Sequence, residues 1–588
     1  MTIKRRAIAA GAAVLAIALL AACGGSKTTT GGKSETGAGF NAAVTHVVNP
    51  STKKGGTLQL WSSQDADSWD PAIGYYAFVW DLNQLYTRTL VTYPAAPGNG
   101  GLKLTPDLAT ALPTITDDGK TYTFKLRSGI KFDDGTAITS KDIKYGIERI
   151  FAQDVLPGGP IYLMQQLDEG QNYPGPYKDT DPNKLGLKSV DTPDDSTIVF
   201  HLKSAYADFP YLLAMPGAGP VPQARDTGAK YALKPASSGP YMFQSYSPGK
   251  STVWVRNPNW DPATDPIRKA LPDKIDLTIT SNADDLDSRL LAGTADIDVG
   301  QTGVQSAAQI KILQNASLKA NTDAPPNGFI RYAAISSKVA PFDNIDCRKA
   351  IFYAADHTAL QTARGGPIGG GPIAPNMLPP NILGSDTKYD PYNIVQGKPQ
   401  LDKAKEELQK CGKPNGFNTT IAVRNNKDKE VKSAEALQQS LAAVGIKANI
   451  YQYDGKLISS VIGSPDNVHK NGYGIMITGW GADWPSGTGY LQPLIDSKFI
   501  LPNGNYNLPE INDSQIESLF QQTALETDPT KAAALYNQMN HIVMEGAYYL
   551  PFTYDAALNY RNPRLTNVFV NQAWGMIDFQ ALGVSDGK

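Results

Sequence analysis

The chain has 588 residues but only three cysteines, Cys23, Cys347 and Cys411. That excludes a small disulfide-dense scaffold. Its five histidines, His46, His201, His357, His469 and His541, are too scattered for a zinc motif, and no metal or cofactor is expected. Neither a Gly-x-Ser-x-Gly elbow nor a His-Glu-x-x-His helix signature occurs, which argues against an enzyme of those classes. Past the first few residues there is no dense Lys/Arg block, so the clustered basic face that nucleic acid requires is missing. Long apolar runs are also scarce. The N-terminal one, Ala7 to Leu20, has 14 residues, short of the roughly 20 that cross a bilayer core as a helix. No fixed-period repeat is present.

What is present begins at the N-terminus. Lys4, Arg5 and Arg6 precede the apolar run, and Leu20-Ala21-Ala22-Cys23 follows it. A basic start, a short apolar centre and small residues before a cleavage point make a secretion signal. The ending resembles the lipobox of bacterial lipoproteins, which implies that residues 1–22 are removed and that Cys23 is the lipidation site, acylated with a diacylglycerol. The alternative is a plain secretory signal with cysteine at its cleavage point. After cleavage 51 basic and 56 acidic residues remain, a net charge near −5. Export places Cys347 and Cys411 in an oxidising compartment, so a disulfide is expected between them, with two separate buried thiols as the alternative. Closing a loop of about 64 residues contributes on the order of 4 kcal/mol by the chain-entropy model.

Residues 23–54 are rich in Gly, Thr, Ser and Lys and read as a flexible tether with a root-mean-square span of roughly 30 Å. The mature length implies about three or four domains or subdomains. Gly55-Gly56-Thr57-Leu58-Gln59-Leu60-Trp61 alternates as a half-buried strand does. Asp117-Asp118-Gly119-Lys120 signals a hairpin turn before Tyr122, Phe124 and Leu126. Thr139 and Asp142 have the spacing of a capping box that opens a helix over 141–151. A strand over 275–280, a helix over 284–291 and a strand over 295–299 form one βαβ unit. Strand 419–423, helix 430–443 and strand 446–453 form a second, so the chain reads as two α/β lobes. Further helices are expected over 401–410, 514–525 and 529–544.

Three stretches carry a family resemblance: Pro106-Asp107-Leu108-Ala109-Thr110, Asp118-Gly119-Lys120-Thr121-Tyr122-Thr123-Phe124-Lys125-Leu126-Arg127, and Gly129-Ile130-Lys131-Phe132-Asp133-Asp134-Gly135. Ser68-Trp69-Asp70-Pro71, Glu148-Arg149, Ser238-Gly239-Pro240-Tyr241, Arg256-Asn257-Pro258, Pro341-Phe342-Asp343 and Arg348-Lys349-Ala350 follow in the same order. The chain resembles bacterial extracellular solute-binding proteins of family 5, the oligopeptide- and dipeptide-binding components of ABC importers, over about residues 55–582. The resemblance implies a two-lobed periplasmic-binding-protein-like α/β fold of class II, with the extra subdomain of peptide-binding proteins. Lobe 1 is expected to take 55–86, 227–320 and 549–588, the inserted subdomain 87–226, and lobe 2 321–548. The implied mechanism is hinge closure on a solute held between the lobes.

Thr478-Gly479-Trp480-Gly481-Ala482-Asp483-Trp484-Pro485 is the leading site candidate, read as a loop after an apolar strand over 473–477. In the resembled family, an aspartate at the place of Asp483 holds a peptide α-ammonium. Trp480, Gly481 and Trp484 supply flat walls beside it, and Tyr75 and Tyr76 are further ligand-binding candidates. The bland alternative is that Asp483 caps a turn and the tryptophans are core. Gly365-Gly366-Pro367 and Gly369-Gly370-Gly371 lack a phosphate-loop lysine and suit a surface or hinge-proximal loop. The expected protein is a monomeric, lipid-anchored receptor on the outer face of the cell membrane, not an enzyme, that passes peptide to an ABC permease and, through it, an ATPase. The alternatives are an oligosaccharide or metal-chelate ligand, or an exported peptide hydrolase.

Overall fold

The computed structural model describes residues 39–587, apart from Gly158 and Asn426. The signal segment and Cys23 lie outside the described residues. Three separate sheets organise the rest. The first has the strand order Ile297–Asp298, Thr57–Ser62, Lys274–Ile279, Ser251–Arg256, Tyr241–Ser247. Thr57–Ser62 runs parallel to both of its neighbours. Helix Ala283–Ala292 makes the crossover, capped by the Asn282 side chain and ended by Gly293 at φ 77°, a conformation that suits glycine.

The inserted segment carries its own antiparallel sheet, Thr114–Thr116, Thr121–Lys125, Thr197–His201, Val190–Asp194. Asp117, Asp118 and Gly119 all have positive φ and reverse the chain between the first two strands. Tyr122 and Phe124 point into the core while their neighbours face outward. Helix Ser140–Arg149 starts where the Asp142 carboxylate accepts the Thr139 backbone N–H at 2.8 Å.

Lobe 2 is built on the order Lys447–Tyr453, Asn418–Arg424, Ile475–Gly481, Pro326–Ile335, Tyr549–Ala556. The first three strands are mutually parallel and the last two pair antiparallel. Helices Leu401–Lys410, Asp428–Ala442, Ser514–Leu525 and Pro529–Glu545 pack around it. A disulfide joins Cys347 and Cys411, with Cα atoms 5.4 Å apart.

Two boundaries differ from the sequence reading. Tyr549–Ala556 belongs to lobe 2, not lobe 1: all eight residues are buried and they complete that sheet's edge beside Pro326–Ile335. Past this strand Asn559–Tyr560 pairs with Thr322–Asp323, and the chain then enters the lobe 1 core at Leu565 and Val568. Likewise the tether does not extend to residue 54. Ala43 and Val48 are buried in the lobe 1 core, Val48 bridges to Val568, and the Ala43 N–H donates to Asp323 Oδ1 at 2.9 Å.

Candidate functional site

Strand Ile475–Gly481 leads into the candidate site. It is longer than the apolar run predicts, because its pairing with Pro326–Ile335 continues as far as Phe329 opposite Gly481. Trp480 and Gly481 therefore lie in the strand, and Asp483 is the second residue beyond it. On the other edge, Asn418–Arg424 pairs only with Ile475 and Met476. Among the described residues, Thr478 to Gly481 thus have a strand partner on one side only, an edge of the kind an extended ligand can join.

Asp483 is half-buried where three parts of the molecule meet. Its Oδ2 accepts from the Tyr75 hydroxyl of lobe 1 at 2.6 Å and from the Tyr162 hydroxyl of the subdomain. Burial raises the Asp483 carboxyl above its ordinary range, and the two hydroxyl bonds oppose that shift. The same contact, together with burial, pushes both phenols well above their usual value, so each remains a donor. Among the described residues no lysine or arginine pairs with Asp483. A carboxylate held by neutral donors and shielded from water is poised for a cation.

The neighbouring aromatics divide by role. Trp484 is 6% exposed, its indole N–H donates to Asp208 of the subdomain at 2.7 Å, and the Tyr162 ring packs edge-on against it at 5.1 Å. Ser486 donates to the same carboxylate. Trp484 is thus a contact between lobe 2 and the subdomain that also lines a cavity between them. Trp480 is half-buried, donates to the Tyr490 carbonyl at 2.8 Å and packs on Tyr506 at 4.8 Å. At Gly481 a Cβ would fall 2.7 Å from the Phe329 ring, so glycine admits that ring. Tyr76 is exposed and packs on Phe78 at 5.8 Å, away from Asp483.

A cavity of about 140 Å³ opens beside Asp483, walled by Tyr75, Trp80, Phe329, Asn381, Pro485 and Trp574. Asn381 and Trp574 are part of its wall, and among the described residues Asn381 Oδ1 and the Trp574 indole N–H are buried without a hydrogen-bond partner. A larger cavity of about 560 Å³ lies between the subdomain and lobe 2, lined by Tyr162, Gln165, Gln166, Trp484, Gln492 and Gln521 among others. Sequence reasoning missed Tyr162, Asp208, Phe329, Asn381 and Trp574. No local motif marks them, because each reaches the site from a distant segment.

Residues 103–500 match the family described as bacterial extracellular solute-binding proteins, family 5 Middle. The chain belongs to this family. Among family relatives, the heme-binding protein A of Haemophilus influenzae is 27% identical over 540 residues, covering 86% of this chain and 87% of its own. The probable D,D-dipeptide-binding periplasmic protein DdpA of Escherichia coli is 27% identical over 547 residues, covering 90% and 95%. A solved structure, the clavulanic acid biosynthesis oligopeptide binding protein 2, superposes with a TM-score of 0.88 at 43% identity, covering 94% of this chain and 99% of that one. The unliganded open form of the murein tripeptide binding protein MppA shares the fold at a TM-score of 0.73 and 19% identity. Family membership and these neighbours give this chain a two-lobed solute-binding fold.

Proposed function

We propose that this protein is the extracytoplasmic receptor of an ABC importer and that its solute is a peptide with a free N-terminus. The observation that carries the reading is Asp483: a carboxylate at the junction of both lobes and the subdomain, bonded to two hydroxyls and to no cation among the described residues. A peptide α-ammonium suits that carboxylate by charge and hydrogen bonding. The unpaired edge from Thr478 to Gly481 suits the peptide main chain, and Asn381 and Trp574 supply a further acceptor and donor. The 43%-identical solved relative is named an oligopeptide binding protein, which supports the same ligand class.

Binding is coupled to closure. Contacts to both lobes favour the closed form by the difference in affinity between the two states, and that form would dock on the permease. The lipid on Cys23 would keep the receptor at the outer face of the cell membrane. No chemical step is required of any residue. One observation favours a second reading, an oligosaccharide: the glutamine-lined larger cavity offers neutral donors and acceptors to hydroxyls.

Mass spectrometry of solute retained through native purification tests the choice. A peptide supports the first reading and a sugar the second. Binding of free-amino peptides that is undiminished by Asp483→Ala would remove the assigned role of that carboxylate.

A further inference from the structure

The backbone passes between lobe 1 and lobe 2 at Thr322–Asp323 and again at Asn559–Tyr560, and the two passages pair antiparallel. Beyond the first come Ala324 and Pro325, and strand Pro326–Ile335 of lobe 2 then starts on a second proline. Each proline fixes φ and has no N–H. Ala324 therefore holds the last free φ and the last backbone donor before the lobe 2 sheet. On the returning passage the small residues Ala556 and Ala557 lead from strand Tyr549–Ala556 to Leu558. Domain closure is absorbed by a few residues at element ends, so these two stretches are the hinge.

An arm from outside either passage is fastened to the first of them. Asn41, at φ 63°, donates its N–H to the Thr322 carbonyl at 2.9 Å and accepts the Ala324 N–H on Oδ1 at 2.7 Å. The Ala43 N–H donates to Asp323 Oδ1 at 2.9 Å, and the other oxygen of that carboxylate pairs with the buried Arg561 of the second passage. Arg561 also donates Nη2 to the carbonyls of Gly39 and Ala320, at 3.1 and 2.7 Å. Thr322, Asp323 and Ala324 thus each make one bond to the arm, and the arm is itself fixed in the lobe 1 core by Ala43 and Val48. All of this holds while the lobes touch. The Tyr75 hydroxyl reaches Asp483 at 2.6 Å, and a Cβ on Gly575 of lobe 1 would lie 2.4 Å from the Asn327 carbonyl oxygen of lobe 2.

We propose that residues 39–48 are a hinge strap, which biases the solute-free protein toward closure through the bond between Asn41 and Ala324. Opening rotates the chain at Ala324 and carries its N–H off Asn41 Oδ1, whereas the bonds to Thr322 and Asp323 stay on the lobe 1 side. One hydrogen bond is then made in the closed form and lost in the open one, and that difference shifts the population. The bias does not depend on the identity of the solute.

Single-molecule energy transfer tests it, with dyes at the exposed positions Lys250 of lobe 1 and Lys447 of lobe 2 in the solute-free chain. Asn41→Gly keeps the positive φ without steric cost and removes only the side-chain acceptor. It should raise the ratio of open to closed molecules roughly threefold to tenfold, the effect of one net hydrogen bond. Val48→Ala is the control: it trims the arm in the lobe 1 core and leaves the Asn41 bonds in place. It should lower the melting temperature and leave the ratio unchanged. An unchanged ratio in Asn41→Gly overturns the strap. An equal rise in both variants also overturns it, since the arm would then act only by stabilising lobe 1.

Discussion

The Tyr75 hydroxyl donates to the Asp483 carboxylate at 2.6 Å, joining lobe 1 to the end of the lobe 2 strand Ile475–Gly481. A hydrogen bond to a charged group contributes about 1.5–3 kcal/mol. Asp483→Asn should therefore weaken binding of a free-amino peptide by about ten- to a hundredfold, while N-acetylated peptides bind both proteins alike. Tyr75→Phe leaves the Tyr162 bond in place and should cost less. Isothermal titration measures both.

The Trp484–Asp208 bond ties lobe 2 to the subdomain, and Ser486 shares its acceptor. Asp208→Ala would strand two buried donors at about 1–3 kcal/mol each. Solution scattering should then show a larger radius of gyration for the solute-free protein, and solute affinity should fall in proportion to the lost closed population. An unchanged radius would mean that this contact does not govern closure.

Cys347 and Cys411 close a loop of 64 residues within lobe 2. The double variant Cys347→Ala/Cys411→Ala should lose on the order of 4 kcal/mol of stability. Denaturant titration with and without reductant checks this: reductant should destabilise the parent and leave the variant unchanged.

His357 is buried, and neither ring nitrogen has a hydrogen-bond partner among the described residues. Burial alone lowers its pKa from 6.5 to about 3. Between those values the unfolded chain binds the proton and the folded chain does not, so stability rises with pH across that window and is lost as pH falls from about 6.5 toward 3. His357→Leu should flatten that part of the profile, measured as melting temperature against pH. A profile parallel to the parent's would assign the acid sensitivity to other groups.

The segment from Gly39 to Ser51 grips the crossover between lobes. Asn41 N–H donates to the Thr322 carbonyl at 2.9 Å, Asn41 Oδ1 accepts from Ala324 N–H at 2.7 Å, and Arg561, paired with Asp323, reaches the Gly39 carbonyl at 3.1 Å. A chain starting at Gly39 should melt with the mature protein, whereas one starting at Gly55 should melt several degrees lower. Equal melting of all three would make the docked arm dispensable.

Local sequence chemistry determined much of this protein. The Asp117-Asp118-Gly119 turn, the Thr139–Asp142 cap, the Gly293 helix end and the two βαβ units all depend on neighbours a few residues apart, so period and turn residues suffice to find them. Asp483 was singled out for another reason: it sits in a motif that resembles a family, and the match to that family over residues 103–500 covers the motif. What surrounds Asp483 was not legible. Tyr75 and Tyr162 are separated from it by 408 and 321 residues, and only the packing of lobe 1, subdomain and lobe 2 brings the three oxygens together. Trp484 illustrates the same limit, since an exposed wall and a buried contact have identical sequence; the structure sets its indole N–H on Asp208 and leaves the residue lining the larger cavity. The last strand is the clearest case. Tyr549–Ala556 reads as a buried strand from its composition, but its placement in lobe 2 follows from hydrogen bonding to Pro326–Ile335, a pairing across more than two hundred residues that no local pattern records.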